Sequence, residues 1–130
     1  MSDNKKIVGF LAGFTMLLLI GCYKDKTVLF DTGDEITRPV SFAADIIPIF
    51  NKSCNLSGCH NAGGIKPDLS ATNAYNALTV GNYYNMAVPE NSNIYLWMTG
   101  KKGTLMPTSG VNKDYNALVL AWIKQGALNN

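Results

Sequence analysis

Two cysteines and the only histidine of the 130-residue chain lie within seven positions, in the stretch CNLSGCH that runs from Cys54 through Cys59 to His60. Thiolates and imidazoles are good ligands for soft and borderline metals, and neighbouring thiols also form disulfides or thioethers. The third cysteine of the chain, Cys22, lies far upstream. The cluster is therefore where residue types and spacing first suggest chemistry.

Three interpretations of this cluster are open. In an exported protein, Cys54 and Cys59 would form a disulfide that closes a tight loop beside His60. A structural zinc ion needs four ligands, so a zinc site would require a carboxylate as well. Covalent haem is the third interpretation, because two thiols add to the porphyrin vinyl groups while the adjacent histidine ligates the iron. The usual haem signature is C-x-x-C-H; the spacing here is C-x4-C-H, and Gly58 gives the longer loop its conformational freedom.

An iron ion with a single histidine needs a second axial ligand, for which methionine is the remaining candidate. Met106 is the favoured residue, because its loop is flexible at both ends and is stiffened by Pro107 directly after it. Met86 is the runner-up and lies in a loop rich in tyrosine and asparagine. Met98 lies in a helical pattern, where a buried packing role is expected.

The N-terminus has the pattern of an export signal. An uncharged run at residues 7–20 follows Lys5-Lys6, and Leu19-Ile20-Gly21 directly precede Cys22. A bilayer span needs about 20 apolar residues, so this run suits the core of a signal peptide better than a membrane helix with an incidental cysteine. The stretch resembles a bacterial lipoprotein signal, which implies cleavage before Cys22 and lipid attachment to its sulfur. Tyr23 after the cysteine favours the outer membrane over the inner one.

Composition and charge limit the remaining possibilities. A formal net charge of +2 and the lack of any Lys/Arg run longer than two residues argue against a nucleic-acid partner. The chain divides into a signal peptide at 1–21, a membrane tether or linker at 22–40, and a single folded domain at 41–130.

The folded domain has four short helical patterns and few strand signals. Asp45 is the expected N-cap of the first helix, and Ser70 is expected to cap the second. Asn91-Ser92 precede the third pattern, and Asn112 precedes the fourth. The residues expected to face inward are Ile46, Ile49 and Phe50, then Tyr75 and Leu78, then Ile94, Tyr95, Trp97 and Met98, and finally Tyr115, Leu118, Val119, Trp122 and Ile123.

Helices this short pose a stability problem. Isolated helices of fewer than about 12 to 15 residues are marginal, and long irregular loops are uncommon in compact domains unless something organises them. A large bound apolar group would complete the core. Neither a disulfide nor a zinc ion would complete the core in this way, so neither explains why the long loops become ordered.

The chain resembles a class I c-type cytochrome domain, of the single-haem kind found in bacterial lipoproteins and enzyme complexes. The resemblance covers nearly all of residues 42–130 and departs from the family mainly in the four-residue gap between the cysteines. The matching segments are Asp45–Phe50 before the haem motif, Gly63-Gly64 with Leu69, Pro89–Ser92 with Tyr95-Leu96, Thr99-Gly100 with Met106-Pro107, and Trp122-Ile123 with Gly126-Ala127.

The resemblance implies an all-α fold of short helices wrapped around one covalently attached haem. Cys54 and Cys59 would be the thioether attachment points, His60 the proximal iron ligand and Met106 the distal one. The carbonyl of Pro67 would accept the hydrogen bond from the proximal imidazole and raise its basicity as a ligand. The first and last helices would cross beside the haem, which is compatible with the large apolar residues Phe50 and Trp122.

The function implied is that of a membrane-anchored one-electron carrier, which is not an enzyme by itself and works either alone or as a subunit of a respiratory or dehydrogenase complex. Its partners would be redox proteins, and its lipid on Cys22 would hold it to a membrane with the domain in the periplasm or at the cell surface. Two alternatives remain. One is a haem-free structural or adhesion lipoprotein with a Cys54–Cys59 disulfide, and the other is a ligand-binding haem protein.

Overall fold

The computed structural model describes residues 32–130, which form four α-helices joined by long loops. A π-helical turn, Phe42–Ile46, leads directly into the first α-helix, and a 3-10 turn, Pro89–Asn91, precedes the third. No strand occurs in this part of the chain, so the prediction of an all-α protein is confirmed. The α-helices are α1 (Ile47–Ser53), α2 (Ala74–Val80), α3 (Asn93–Met98) and α4 (Lys113–Lys124).

The predicted export features lie outside the described residues. These features are the signal peptide at 1–21, the lipid attachment at Cys22 and the first part of the linker, up to residue 31. A helix needs about 20 apolar residues to cross a bilayer, and none within residues 32–130 has that length and hydropathy.

The first helical segment begins at Ser41, four residues before the position expected from the sequence. The Ser41 hydroxyl accepts a hydrogen bond from the Ala44 N–H at 3.1 Å, and the Asp45 carboxylate accepts one from the Ser41 N–H at 2.8 Å. This reciprocal pair resembles a capping box. The prediction that Asp45 is the N-cap is therefore wrong, because the π-helical turn extends the segment and places Asp45 inside its first turn.

Asp45 also forms a two-pronged ion pair with Arg38, with N–O distances of 2.7 and 2.9 Å. The Arg38 guanidinium, followed by the Ser41 N–H, lowers the pKa of the Asp45 carboxyl below its usual value. Both oxygens of the Asp45 carboxylate thus accept hydrogen bonds that fix the start of the helical segment.

Asp45→Ala is expected to lower the free energy of unfolding by about 1 kcal/mol at neutral pH, since a lost cap costs about that much and the exposed ion pair adds little. Because the pKa of Asp45 is lower in the folded than in the unfolded protein, its contribution is complete above about pH 4 and is lost as the pH falls through the folded value. Urea unfolding of both proteins across this range measures the difference. A difference that stayed constant down to about pH 2 would contradict this role for the carboxylate.

Asp68 organises the turn before α2. Its carboxylate accepts hydrogen bonds from the Ser70 hydroxyl at 2.6 Å, the Ser70 N–H at 3.0 Å and the Asn73 amide at 2.9 Å. These bonds, the Ser70 hydroxyl first, lower the pKa of Asp68. The helix begins at Ala74 with Asn73 as its N-cap, so the prediction that Ser70 caps it is wrong. The Ser70 hydroxyl is committed to Asp68, and its carbonyl accepts the Ala74 N–H at 2.8 Å.

The two later helices begin where the sequence predicts. The Asn112 side chain accepts a hydrogen bond from the Tyr115 N–H at 3.0 Å, which confirms it as the N-cap of α4. Ser92 is the N-cap residue of α3, but its hydroxyl accepts from the Asn85 N–H at 2.9 Å and so holds the preceding loop.

An aromatic cluster forms one part of the core. The Phe42 ring packs against Trp122, Tyr75 and Phe50 with centroid distances of 5.1, 5.3 and 6.2 Å, and Tyr84 meets Trp122 edge-on at 5.4 Å. Phe42, Phe50 and Trp122 are buried. The cluster joins the π-helical turn to α4 and α2, and Phe50 also lines a neighbouring cavity.

The end of the chain is bonded to the start of the helical domain. The main-chain oxygen of Asn130 accepts from the Ala43 N–H and the Ser41 hydroxyl, each at 2.8 Å. The Asn130 side chain accepts from the Phe42 N–H at 2.8 Å. N–H groups in the first turn of a helix lack partners within the helix, and Asn130 satisfies two of them.

Part of the segment interpreted as a linker, residues 22–40, contacts the helical domain. The Gly33 N–H donates to the Lys113 carbonyl at 2.9 Å, and the half-buried Ile36 packs against the core. The part of residues 22–40 that the structure describes is therefore joined to the helical domain.

Candidate functional site

An apolar cavity of about 220 Å³ lies among α1, α2, α3 and the loops that contain the sequence-predicted site residues. The helices contribute Phe50, Leu78, Ile94, Trp97 and Met98 to its wall. The complete lining consists of Phe50, Cys54, His60, Ile65, Lys66, Pro67, Leu69, Leu78, Tyr83, Ile94, Trp97, Met98 and Met106.

The loop after α1 is fixed by backbone hydrogen bonds across the motif. The His60 N–H donates to the Cys54 carbonyl at 3.0 Å, and the Ile65 N–H donates to the Cys59 carbonyl at 2.8 Å. The His60 carbonyl accepts from the Leu69 N–H at 2.7 Å. These three bonds set the position of the histidine backbone without using its ring.

The His60 ring has a defined orientation. Its Nδ1 lies 3.0 Å from the Ile65 carbonyl oxygen and 3.2 Å from the Pro67 carbonyl oxygen. Both oxygens can only accept, so Nδ1 carries a proton and donates it. In the neutral imidazole, Nε2 is then the nitrogen with the free lone pair, which is the state required of a metal ligand. The expected bond to Pro67 is present, and the shorter bond to Ile65 was not predicted.

The two cysteines have different surroundings. Cys54 follows α1 at its C-cap, where its N–H donates to the Phe50 carbonyl at 2.8 Å, and its side chain lines the cavity. Burial, and secondarily the nearby Cys59 sulfur, raises the pKa of the Cys54 thiol to about 11. Cys59 is exposed and is not part of the lining, and no disulfide joins the two residues.

The three candidate methionines differ in their exposure and in whether they line the cavity. Met106 lines the cavity, and its N–H donates to the Trp97 carbonyl at 3.0 Å. Met98 is only 4 % exposed and lines the same cavity, in agreement with its expected burial. Met86 is 60 % exposed and does not belong to the lining. The cavity thus brings two thioethers together with His60 and Cys54.

Two features of the cavity wall could not be anticipated from the motif. The Ile65 carbonyl has no side-chain signature, since any residue can supply a main-chain oxygen. Trp97 was expected on the inner side of α3, and helical spacing of apolar residues is the only signal for it. Of the two large residues assigned beside the site, Phe50 lines the cavity, whereas Trp122 packs against Phe42 and Tyr84.

The donor groups fit an iron porphyrin better than a structural zinc ion. Within residues 32–130, no three His, Cys, Asp or Glu side chains cluster so that they could hold a metal ion. The cavity instead offers one imidazole, two thioethers, one thiol and the Lys66 side chain on an otherwise mainly apolar wall without a carboxylate. An imidazole paired with a thioether is an axial ligand set of haem iron, and an apolar wall suits the porphyrin faces.

No protein-family model matches the chain, and neither the curated proteins nor the solved structures contain one that is significantly similar to it.

Proposed function

We propose that the protein is a monohaem c-type cytochrome that carries single electrons. One observation supports this proposal above the others: Cys54 and His60 of the motif and Met106, which comes from a distant stretch of the sequence, line one apolar cavity. The haem would be attached through Cys54 and Cys59, with His60 and Met106 as its axial ligands. The runner-up for the distal position remains Met86, although its sulfur is on a residue outside the cavity wall.

The protein's own groups prepare the site in three ways. The Ile65 and Pro67 carbonyls hold the proton of His60 on Nδ1 and so leave Nε2 for the iron. The bond from the Met106 N–H to Trp97 fixes the backbone beside a thioether, which is a weak ligand and needs such positioning. Leu78, Ile94 and the other apolar lining residues supply a surface that suits the faces of a porphyrin.

When bound, the haem supplies a one-electron couple between ferric and ferrous iron. A histidine and a methionine together raise the reduction potential and leave no axial position for a substrate. Electron transfer alone, without bond chemistry, therefore agrees best with this ligand set.

The cellular role follows from the same proposal. Lipid on Cys22 would hold the domain at a membrane, with the domain in the periplasm or at the cell surface. Tyr23 favours the outer membrane over the inner one. Its partners would be redox proteins that meet it on the same membrane or in one complex. A net charge of +2 gives little long-range steering, so confinement would replace electrostatic attraction.

The haem itself is the first thing to test. Full-length protein, co-expressed with a cytochrome maturation system, is expected to gain the mass of one haem and to give a pyridine haemochrome spectrum. Cys54→Ala and Cys59→Ala should each retain one thioether, whereas the double variant should have no covalent haem. A colourless wild-type protein whose mass has fallen by two hydrogens would instead show a disulfide and would overturn the proposal.

A further inference from the structure

The loop that contains Met106 folds back onto the end of α3. The Trp97 carbonyl accepts hydrogen bonds from the Gly100 N–H at 3.2 Å and from the Met106 N–H at 3.0 Å. The Leu96 carbonyl accepts from the Lys101 N–H at 2.9 Å. The Met106 backbone is therefore positioned by the same helical turn that contains Trp97.

Gly103 packs directly against the Trp97 ring. A Cβ atom at position 103 would lie 2.5 Å from Cη2, 2.6 Å from Cζ3 and 3.2 Å from Cζ2 of the indole. Such distances are too short for carbon atoms, whose optimal separation is about 3.5 to 4.0 Å. The contact consequently requires glycine, quite apart from the positive φ of 62° at this residue.

A side chain at position 103 would have to displace either the ring or the loop. The Trp97 ring lines the cavity, and the loop contains Met106, which lines it too. Both movements would therefore alter the wall near the methionine sulfur. Met98 supplies a second thioether to the same wall, so a displaced Met106 would leave another sulfur available there.

We propose that Trp97, packed against Gly103, is a positioning residue that holds the Met106 thioether at the distal side of the haem. This inference rests on the proposed function. It goes further because it names a contact outside the haem motif, between an aromatic ring and a glycine. This contact would determine which methionine sulfur is the distal ligand and how strongly that sulfur is held in place.

Gly103→Ala in the full-length holoprotein tests the proposal. We expect a lower reduction potential than in the wild type, shifted towards that of Met106→Ala. We also expect the ferric protein to bind added imidazole about tenfold more tightly, because a displaced thioether competes less well for the iron. Gly110→Ala is the matched control. Gly110 also has a positive φ, 123°, but a Cβ there would contact nothing within 4 Å.

A compensating variant separates the contact from general destabilisation. The ring of phenylalanine is shorter than indole, so Gly103→Ala combined with Trp97→Phe should recover most of the wild-type potential and imidazole affinity. The double variant also serves as the test if Gly103→Ala alone does not fold. Equal effects of Gly103→Ala and Gly110→Ala, or a double variant that remains as altered as the single one, would overturn the proposal.

The two proposals fail in different ways. Absence of haem in the wild-type protein would remove the proposed function, and the positioning role with it. A haem-containing Gly103→Ala protein with the wild-type potential and imidazole affinity would overturn the positioning role alone.

Discussion

Replacing His60 by alanine is expected to abolish the folded holoprotein. The imidazole is the only one in the chain, and the other side-chain nitrogens of the cavity wall are those of Lys66, which must lose a proton before it can ligate a metal, and of the Trp97 indole, which only donates. Loss of a hydrogen bond that merely supports a ligand already costs about 10- to 100-fold in metal affinity, so loss of the ligand itself should reduce the yield of holoprotein by more than that. Absorption spectra and far-UV circular dichroism of the purified variant measure both haem and fold.

The backbone contacts of residue 60 make this test specific. The N–H and carbonyl that bond to Cys54 and Leu69 are retained in alanine, so the substitution removes the ring and leaves those bonds possible. Imidazole supplied during expression should partly restore the yield of holoprotein and its spectrum, because it can occupy the place of the missing ring. A His60→Ala protein with the wild-type spectrum and no response to imidazole would contradict the assignment of His60 as ligand.

Met106→Ala is expected to leave haem attached while lowering its reduction potential. The thioether bonds do not involve this residue, and loss of a methionine sulfur removes the ligand that favours ferrous iron. Axial ligands set haem potentials over a range of roughly 0.8 V, so a fall on the order of 0.1 V is reasonable. A redox titration of the purified protein measures it, and the mass of one haem should be unchanged.

Two further methionine variants serve as controls for this experiment. Met86→Leu should leave the potential unchanged, because residue 86 is outside the cavity wall. Met98→Leu retains an apolar side chain of similar size and should shift the potential little if Met106 is the ligand. An unaltered titration in Met106→Ala, combined with a fall in one of the other variants, would move the distal ligand to Met98 or Met86.

The part of the fold that the sequence predicts best is α4. It is long enough for its apolar residues to repeat over three turns, and Asn112 gives a clear start. The start of α1 was harder to predict, because both Ser41 and Asp45 are good cap residues and only the π-helical turn between them decides their roles. For α2, the acceptor that organises the turn is Asp68, which lies before the serine that looked like the cap.

Some residues of the candidate site could likewise be predicted from the sequence, and others could not. Cys54 and His60 could be singled out because a motif of side chains marks them, and Met106 because of its loop. The Ile65 carbonyl and the Gly103–Trp97 contact could not, since the first is a backbone atom and the second depends on how a loop packs against a helix. Short-range patterns identify reactive groups, but the distances between segments come only from tertiary packing.

The bonds of Asn130 to Ser41, Phe42 and Ala43 bear on how the domain comes apart. Terminal residues of most domains fray first and independently of each other. Here peeling away the last residue exposes the N–H groups of the opening helical turn, so one end cannot loosen without weakening the other. The opening helical turn and Asn130 are accordingly expected to lose their structure together, rather than one after the other, when the described domain begins to unfold.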